Sequence, residues 1–288
     1  MQMKTKFFWI LAVVITLGAS VYQRMTGPTN PKYVKVWVGN DEYKFKLPRS
    51  GGETDCRVVL KGIGIAGEEK KSDFDVYATM YWRQFPATGD YIPEKMVPGE
   101  EGLVAFLPVQ PAAGKLEYYI ELETVQRNSD VVSKSRSMLC YDDPLIIRFK
   151  NDVPAKVLIP HIILMFVSML FGAYAFLCAL ANMPQYRLYT ILSFVLLVLG
   201  GFVFGPIVQK YAFGVYWSGF PFGGDLTDNK TLFAGIALLF AVFTGKKPWN
   251  RWAVVLAMLV MFVIFSIPHS MRGSQLNHQT GQIEYRNN

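Results

Sequence analysis

His161, His269, Asp225 and Asp228 are the residues in this 288-residue chain that the order of its polar and apolar segments brings to one level. His161 stands just inside an apolar segment, His269 at the end of another, and the third histidine, His278, in the polar tail. The two aspartates arrive through a loop at the same level. An ionisable group inside a bilayer is costly, which makes an intramembrane histidine a functional candidate. His161 and His269, coming from two helices, would suit the axial positions of a b-type haem, because imidazole is a standard iron ligand. The same histidines with Asp225 and Asp228 offer nitrogen and carboxylate oxygen to a divalent metal. Each residue also has a plainer reading. His161 could bond a backbone carbonyl freed where Pro160 kinks its helix, and Asp228 could be the N-cap of a helix beginning at Thr231. Asp225 has no comparable local role. Spacing favours neither haem nor metal, so the cofactor stays unassigned.

The loop that carries the aspartates, residues 213–230, reads FGVYWSGFPFGGDLTDNK and is wedged between two apolar blocks. Its aromatics suit either an interfacial belt or a loop bent inward by Pro221 and its glycines, plugging the bundle and presenting Asp225 to a pocket. Trp217, Phe220 and Phe222 are the candidates for partner binding. No nucleophile motif, phosphate loop or dinucleotide fingerprint is present: GFPFGG lacks both a preceding strand and the phosphate-binding lysine. The three cysteines, Cys56, Cys140 and Cys178, show no CxxC and no zinc-type spacing. Cys56 and Cys140 fall in one polar domain, and export to an oxidising compartment would permit them to form a disulfide.

These residues must be positioned by membrane helices. The chain is 51% hydrophobic with a mean hydropathy of +0.22, and the apolar residues are gathered in blocks. Residues 1–23 form an N-terminal anchor or uncleaved signal, with Lys4 and Lys6 ahead of FFWILAVVITLGASVY and Trp9 and Tyr22 near its ends as interfacial anchors. Residues 154–288 form a four-span domain, with spans at 156–181, 188–208, 231–244 and 252–267, an external loop 207–230 and an external tail. The first of these spans is started by Asn151 or Asp152 as cap with Pro154 in its first turn.

Between them, residues 24–153 read as a β-rich domain. Seven strand-like runs, 33–38, 42–47, 57–61, 74–85, 103–107, 116–124 and 145–150, are separated by Gly, Pro and Asp turns. Alternation is clearest over 74–83, where Phe74, Val76, Ala78, Met80 and Trp82 face a core and Asp75, Tyr77, Thr79, Tyr81 and Arg83 face solvent. The fold class that follows is a membrane α-helical bundle, one N-terminal anchor plus four C-terminal spans, with an inserted all-β sandwich outside the membrane.

The net charge of +7 reflects basic clusters beside apolar blocks, and no nucleic-acid motif accompanies it. Lys4, Lys6, Arg187, Lys246, Lys247 and Arg251 all fall on one side if the spans alternate. That side is the cytoplasm by the positive-inside rule, which puts the β domain, the aromatic loop and the C-terminus on the periplasmic side of a bacterial inner membrane.

The runs MYWRQF (80–85), LVAFLPVQPAAGKLEYYIEL (103–122) and PLIIRFKNDVPA (144–155) resemble the later strands of a fibronectin-type-III-like domain. Such a domain precedes a membrane bundle in a group of bacterial multi-pass membrane proteins. VYQRMTGPT, GFPFGGDLTDNKT and IPHSMRG are also similar to recurrent parts of that group, so the resemblance covers the layout of the whole chain. It implies an architecture and brings no activity with it. The expected function is non-enzymatic: a binding or scaffold subunit of a cell-envelope assembly, in contact with lipid and with a protein partner or a second copy of itself. The alternative is a redox or metal-binding membrane protein. A transporter fits less well, since no charged residue falls deep in a span.

Overall fold

The computed structural model describes residues 2–64, 74–86, 89–126, 134–244, 250–268, 275–277, 280–281 and 283–284. The chain forms two compact units. One comprises Met1–Pro28 and Asp152–Ser274 and is helical; the other comprises Thr29–Asn151 with Gln275–Glu284 and is β-rich.

In the helical unit α1 covers Gln2–Thr26, α2 Ala155–Leu180, α3 Tyr186–Leu197, α4 Gly205–Phe213, α5 Leu226–Thr244 and α6 Arg251–Ser266. A π-helical segment, Val198–Phe204, joins α3 to α4 without a break. Among the described residues four stretches are long and apolar enough to cross a membrane: Thr5–Thr26, Ala155–Leu180, Tyr186–Phe213 and Leu226–Thr244. α6 is apolar but only 16 residues long, about 24 Å of helix against a hydrocarbon core of about 30 Å. The expected side-chain cap on α2 is not made: its N-cap is Pro154, which has no capping side chain.

Small residues let these helices close on one another. A Cβ built on Gly172 would lie 2.3 Å from Met261 Cε, and one on Gly201 would lie 2.6 Å from Thr231 Cγ2. Ser168 and Ser193 are fully buried, and each hydroxyl donates to the other's backbone carbonyl at 2.8 Å, tying α2 to α3. α1 is held by Trp9, whose ring stacks on Tyr174 at 4.1 Å and meets Tyr189 edge-on at 5.4 Å. Trp9 is thus a packing residue within the unit, where its position near a segment end had suggested an interfacial anchor.

Among the described residues the β unit has eleven strands before its tail. β1 (Lys32–Val38) and β2 (Asp41–Leu47) form a hairpin. β3 (Ser50–Gly51), β5 (Phe74–Gln84), β6 (Ile92–Lys95), β9 (Lys115–Gln126), β10 (Lys134–Leu139) and β11 (Leu145–Phe149) make a six-stranded sheet in the order β3-β11-β9-β5-β6, with β10 also on β9. β4 (Cys56–Lys61), β8 (Gly102–Leu107) and β7 (Val97–Gly99) make a three-stranded one. All seven expected runs are strands. The additional ones are short or polar, and β6 and β7 carry Pro93 and Pro98; both lie at sheet edges, where a missing N–H is tolerated.

Phe45 and Leu47 from the hairpin, Leu60 and Leu107 from the smaller sheet, and Met80, Tyr118, Ile120 and Ile147 from the larger one are fully buried in one shared core. Tyr118 donates its hydroxyl to the Pro48 carbonyl at 2.7 Å. Cys56, at the start of β4, and Cys140, just after β10 with φ 63°, pack half-buried against this core, and both thiols are free. Burial pushes both thiols up from their ordinary value. The tail also joins this unit. β12 (Gln275–Leu276) pairs with β13 (Ile283–Glu284), and Leu276 N–H donates to the Ala113 carbonyl at 3.1 Å. The sequence had grouped these residues with the spans.

Candidate functional site

His161 lies in the second turn of α2, directly after Pro160. Its Nδ1 is 2.9 Å from the Gly200 carbonyl, which can only accept, so Nδ1–H is the donor. The carbonyl thus belongs to the neighbouring π-helical segment and not to a kink in the histidine's own helix. That segment closes with Gly205 N–H on the same Gly200 carbonyl. π-Helical turns cost hydrogen-bond geometry and are frequent at functional sites. Gly200 is required by proximity as well: a Cβ there would come within 3.0 Å of Leu164 Cβ and Met165 Sδ.

Beside the imidazole is a cavity of about 130 Å³ between α1, α2 and α6. Ser20, Gln23 and His161 are its polar lining, and Met165, Phe166 and Phe265 are among its apolar walls. Drug-sized ligands occupy pockets of roughly 300–1,000 Å³.

The loop between α4 and α5 is built from the inside outward. Asp228, buried in the first turn of α5, accepts the Ser218 N–H at 2.6 Å and the Ser218 hydroxyl at 3.0 Å. Gln209 of α4 reaches the same hydroxyl. Asn229 Oδ1 accepts the Phe220 N–H at 2.7 Å, and Trp217 Nε1–H donates to the Phe220 carbonyl at 3.0 Å. Gly219 has to be glycine, since a Cβ would fall 2.7 Å from Asp228 Cβ and 2.8 Å from Asn229 Oδ1. Trp217 lies half-buried and stacks on Phe202 with ring centroids 5.9 Å apart. Phe220 and Phe222 point outward, 68% and 74% exposed. A loop that plugs the bundle with these rings is therefore not what forms: the base is polar and buried, and the tip is apolar and exposed.

The cap expected of Asp228 is made by Asp225 instead. Helix α5 begins at Leu226, so Asp225 is its N-cap, with Oδ1 accepting the Thr227 N–H at 2.8 Å. Asp228 instead anchors the loop. Both are buried. Among the described residues no group of three or more His, Cys, Asp and Glu side chains is placed to hold a metal, so His161 is not joined by Asp225 and Asp228. His269 lies outside the described residues.

Three polar residues were not singled out in the sequence. Lys230, 6% exposed, donates from Nζ to the Ile267 and Pro268 carbonyls at 2.7 and 3.2 Å, and so closes the C-terminal end of α6. Gln23 Nε2 donates to the Phe265 and Ile267 carbonyls. Ser20 donates to the Thr16 carbonyl at 2.7 Å. A polar side chain beside an apolar block was the available signal for Gln23 and Lys230. The β unit adds a cluster on the solvent side of its larger sheet: Tyr81 stacks on Tyr119 at 4.9 Å, Tyr91 and Tyr141 meet Tyr119 edge-on, and Arg83 pairs with Glu117.

In comparisons with known proteins, the chain matches no family model, no curated protein and no solved structure.

Proposed function

We propose that the chain is a non-enzymatic integral membrane protein, a binding or scaffold subunit of a bacterial cell-envelope assembly that contacts its protein partner through the loop between α4 and α5 and through its β unit. The observation that carries this reading is the loop: Phe220 and Phe222 are held out at 68% and 74% exposure on a base fixed by Asp228, Asn229 and Gln209. Exposed apolar groups on an ordered support mark a surface that something else covers, and aromatic residues are enriched at protein interfaces. An ordered loop also loses little conformational freedom on binding.

The β unit is read as a sandwich of the fibronectin-type-III kind, supported by the single core that its two larger sheets and the hairpin share. The membrane is the bacterial inner membrane, with the basic residues around Lys6, Arg187 and Arg251 in the cytoplasm and the loop, β unit and tail outside. In mild detergent the wild-type chain is expected to run as a complex, either with a stoichiometric partner or as a homo-oligomer, well above the 32.6 kDa of one copy. A Phe220→Ser/Phe222→Ser double variant should run as the monomer with unchanged helix content. Light scattering that finds wild type and variant alike, both monomeric, overturns the proposal.

A further inference from the structure

The cavity beside His161 selects a ligand by what its polar lining has left to offer. The Ser20 hydroxyl proton goes to the Thr16 carbonyl. The Gln23 amide N–H groups go to the Phe265 and Ile267 carbonyls. Nδ1–H of His161 goes to the Gly200 carbonyl, which in the neutral ring makes Nε2 an acceptor. Every donor on the polar lining is thus engaged within the protein. The Ser20 lone pairs, Gln23 Oε1 and His161 Nε2 remain as acceptors. A carboxylate, phosphate or quinone carbonyl would meet only other acceptors here, whereas a hydroxyl would find partners. Among the described residues no Asp, Glu, Lys or Arg lines the cavity, so none of them compensates the burial of an ammonium.

Size and position complete the description. A cavity of about 130 Å³ is small beside the roughly 300–1,000 Å³ of pockets for drug-sized ligands, and suits a hydroxyl head and the first few carbons of a chain. Ile162 and Phe166, one helical turn apart on α2, line the cavity and are each 43% exposed, which gives an alkyl chain an apolar way out along the helix surface. We propose that this cavity binds the hydroxyl head of a neutral lipid bearing an alkyl chain. The inference goes beyond the partner-binding reading and does not use the loop, so either can fail without the other.

Native mass spectrometry of the full chain tests it, with oleyl alcohol, its methyl ether, oleic acid and oleylamine offered at equal concentration. A single saturable alcohol adduct is expected, with the ether bound up to about tenfold less because it lacks the donor and the acid and amine no better than the ether. Ala19→Phe, which fills the cavity from α1, should abolish the adduct. Ser20→Ala, a change that keeps the packing, should weaken the alcohol and leave the ether as it was. Equal retention of alcohol and ether, preference for the acid or the amine, or an Ala19→Phe protein that binds as wild type overturns the proposal. If Ala19→Phe does not fold, the wild-type comparison and Ser20→Ala decide it.

Discussion

Asp228 and Asp225 are three residues apart and do different physical work. The first satisfies a buried backbone N–H and a hydroxyl on another segment; the second caps its own helix. Truncating a cap costs about 1 kcal/mol. Leaving buried partners of a carboxylate unsatisfied costs about 1–3 kcal/mol or more. Asp228→Ala should therefore loosen the loop more than Asp225→Ala, seen as faster hydrogen exchange at amides 214–225, with Ser218 affected first. Equal exchange in the two variants would mean that the Ser218 contact does not hold the loop. The sequence reading placed the cap on Asp228 because it started the helix at Thr231; the helix begins five residues earlier, at Leu226, and which aspartate meets Ser218 depends on a contact between segments that the run DLTDN does not show. His161 was legible as the residue to watch, but its partner was not: Gly200 is distant in sequence, and only the packing of α2 on the π-helical segment makes them neighbours.

At the scale of elements, β9 shows how a strand couples the β unit together. It pairs with β5, β10 and β11 while Tyr118, Ile120 and Leu122 point inward. Burial, with Cys56 and Cys140 close by, raises the Tyr118 hydroxyl well above its ordinary value of 10.0. A group whose folded pKa is raised stabilises the fold below its unfolded pKa and loses that contribution as pH climbs towards the folded value. The β unit should therefore hold its stability up to about pH 10 and lose it above that. Tyr118→Phe, which leaves the Pro48 carbonyl without its donor, should cost about 1–3 kcal/mol at pH 7 and flatten the alkaline decline. Denaturant unfolding at pH 7 and pH 11 measures both, and a decline as steep in the variant as in wild type would assign it to other groups. The strands that alternate strongly, such as β5 and β9, were readable from the sequence. β6, β7 and β10 were not, because edge strands with proline or mostly polar residues lack the period that identifies a half-buried strand.

For the whole molecule, the apolar blocks and the β-rich stretch between them were legible because length and hydropathy decide them locally. The assignment of the tail was not: residues 275–284 join the β unit through Leu276 and Ala113, and two-residue strands carry no periodic signal. What the molecule does rests on the exposed Phe220 and Phe222 and on what covers them. The most direct test places a photo-crosslinking amino acid at position 220 in the full chain and irradiates intact membranes. The account predicts a discrete protein adduct, either with a partner or with a second copy, absent when the probe is moved to the buried Leu238 and reduced when Phe222 is changed to Ser. Crosslinks to lipid alone from position 220 would contradict it.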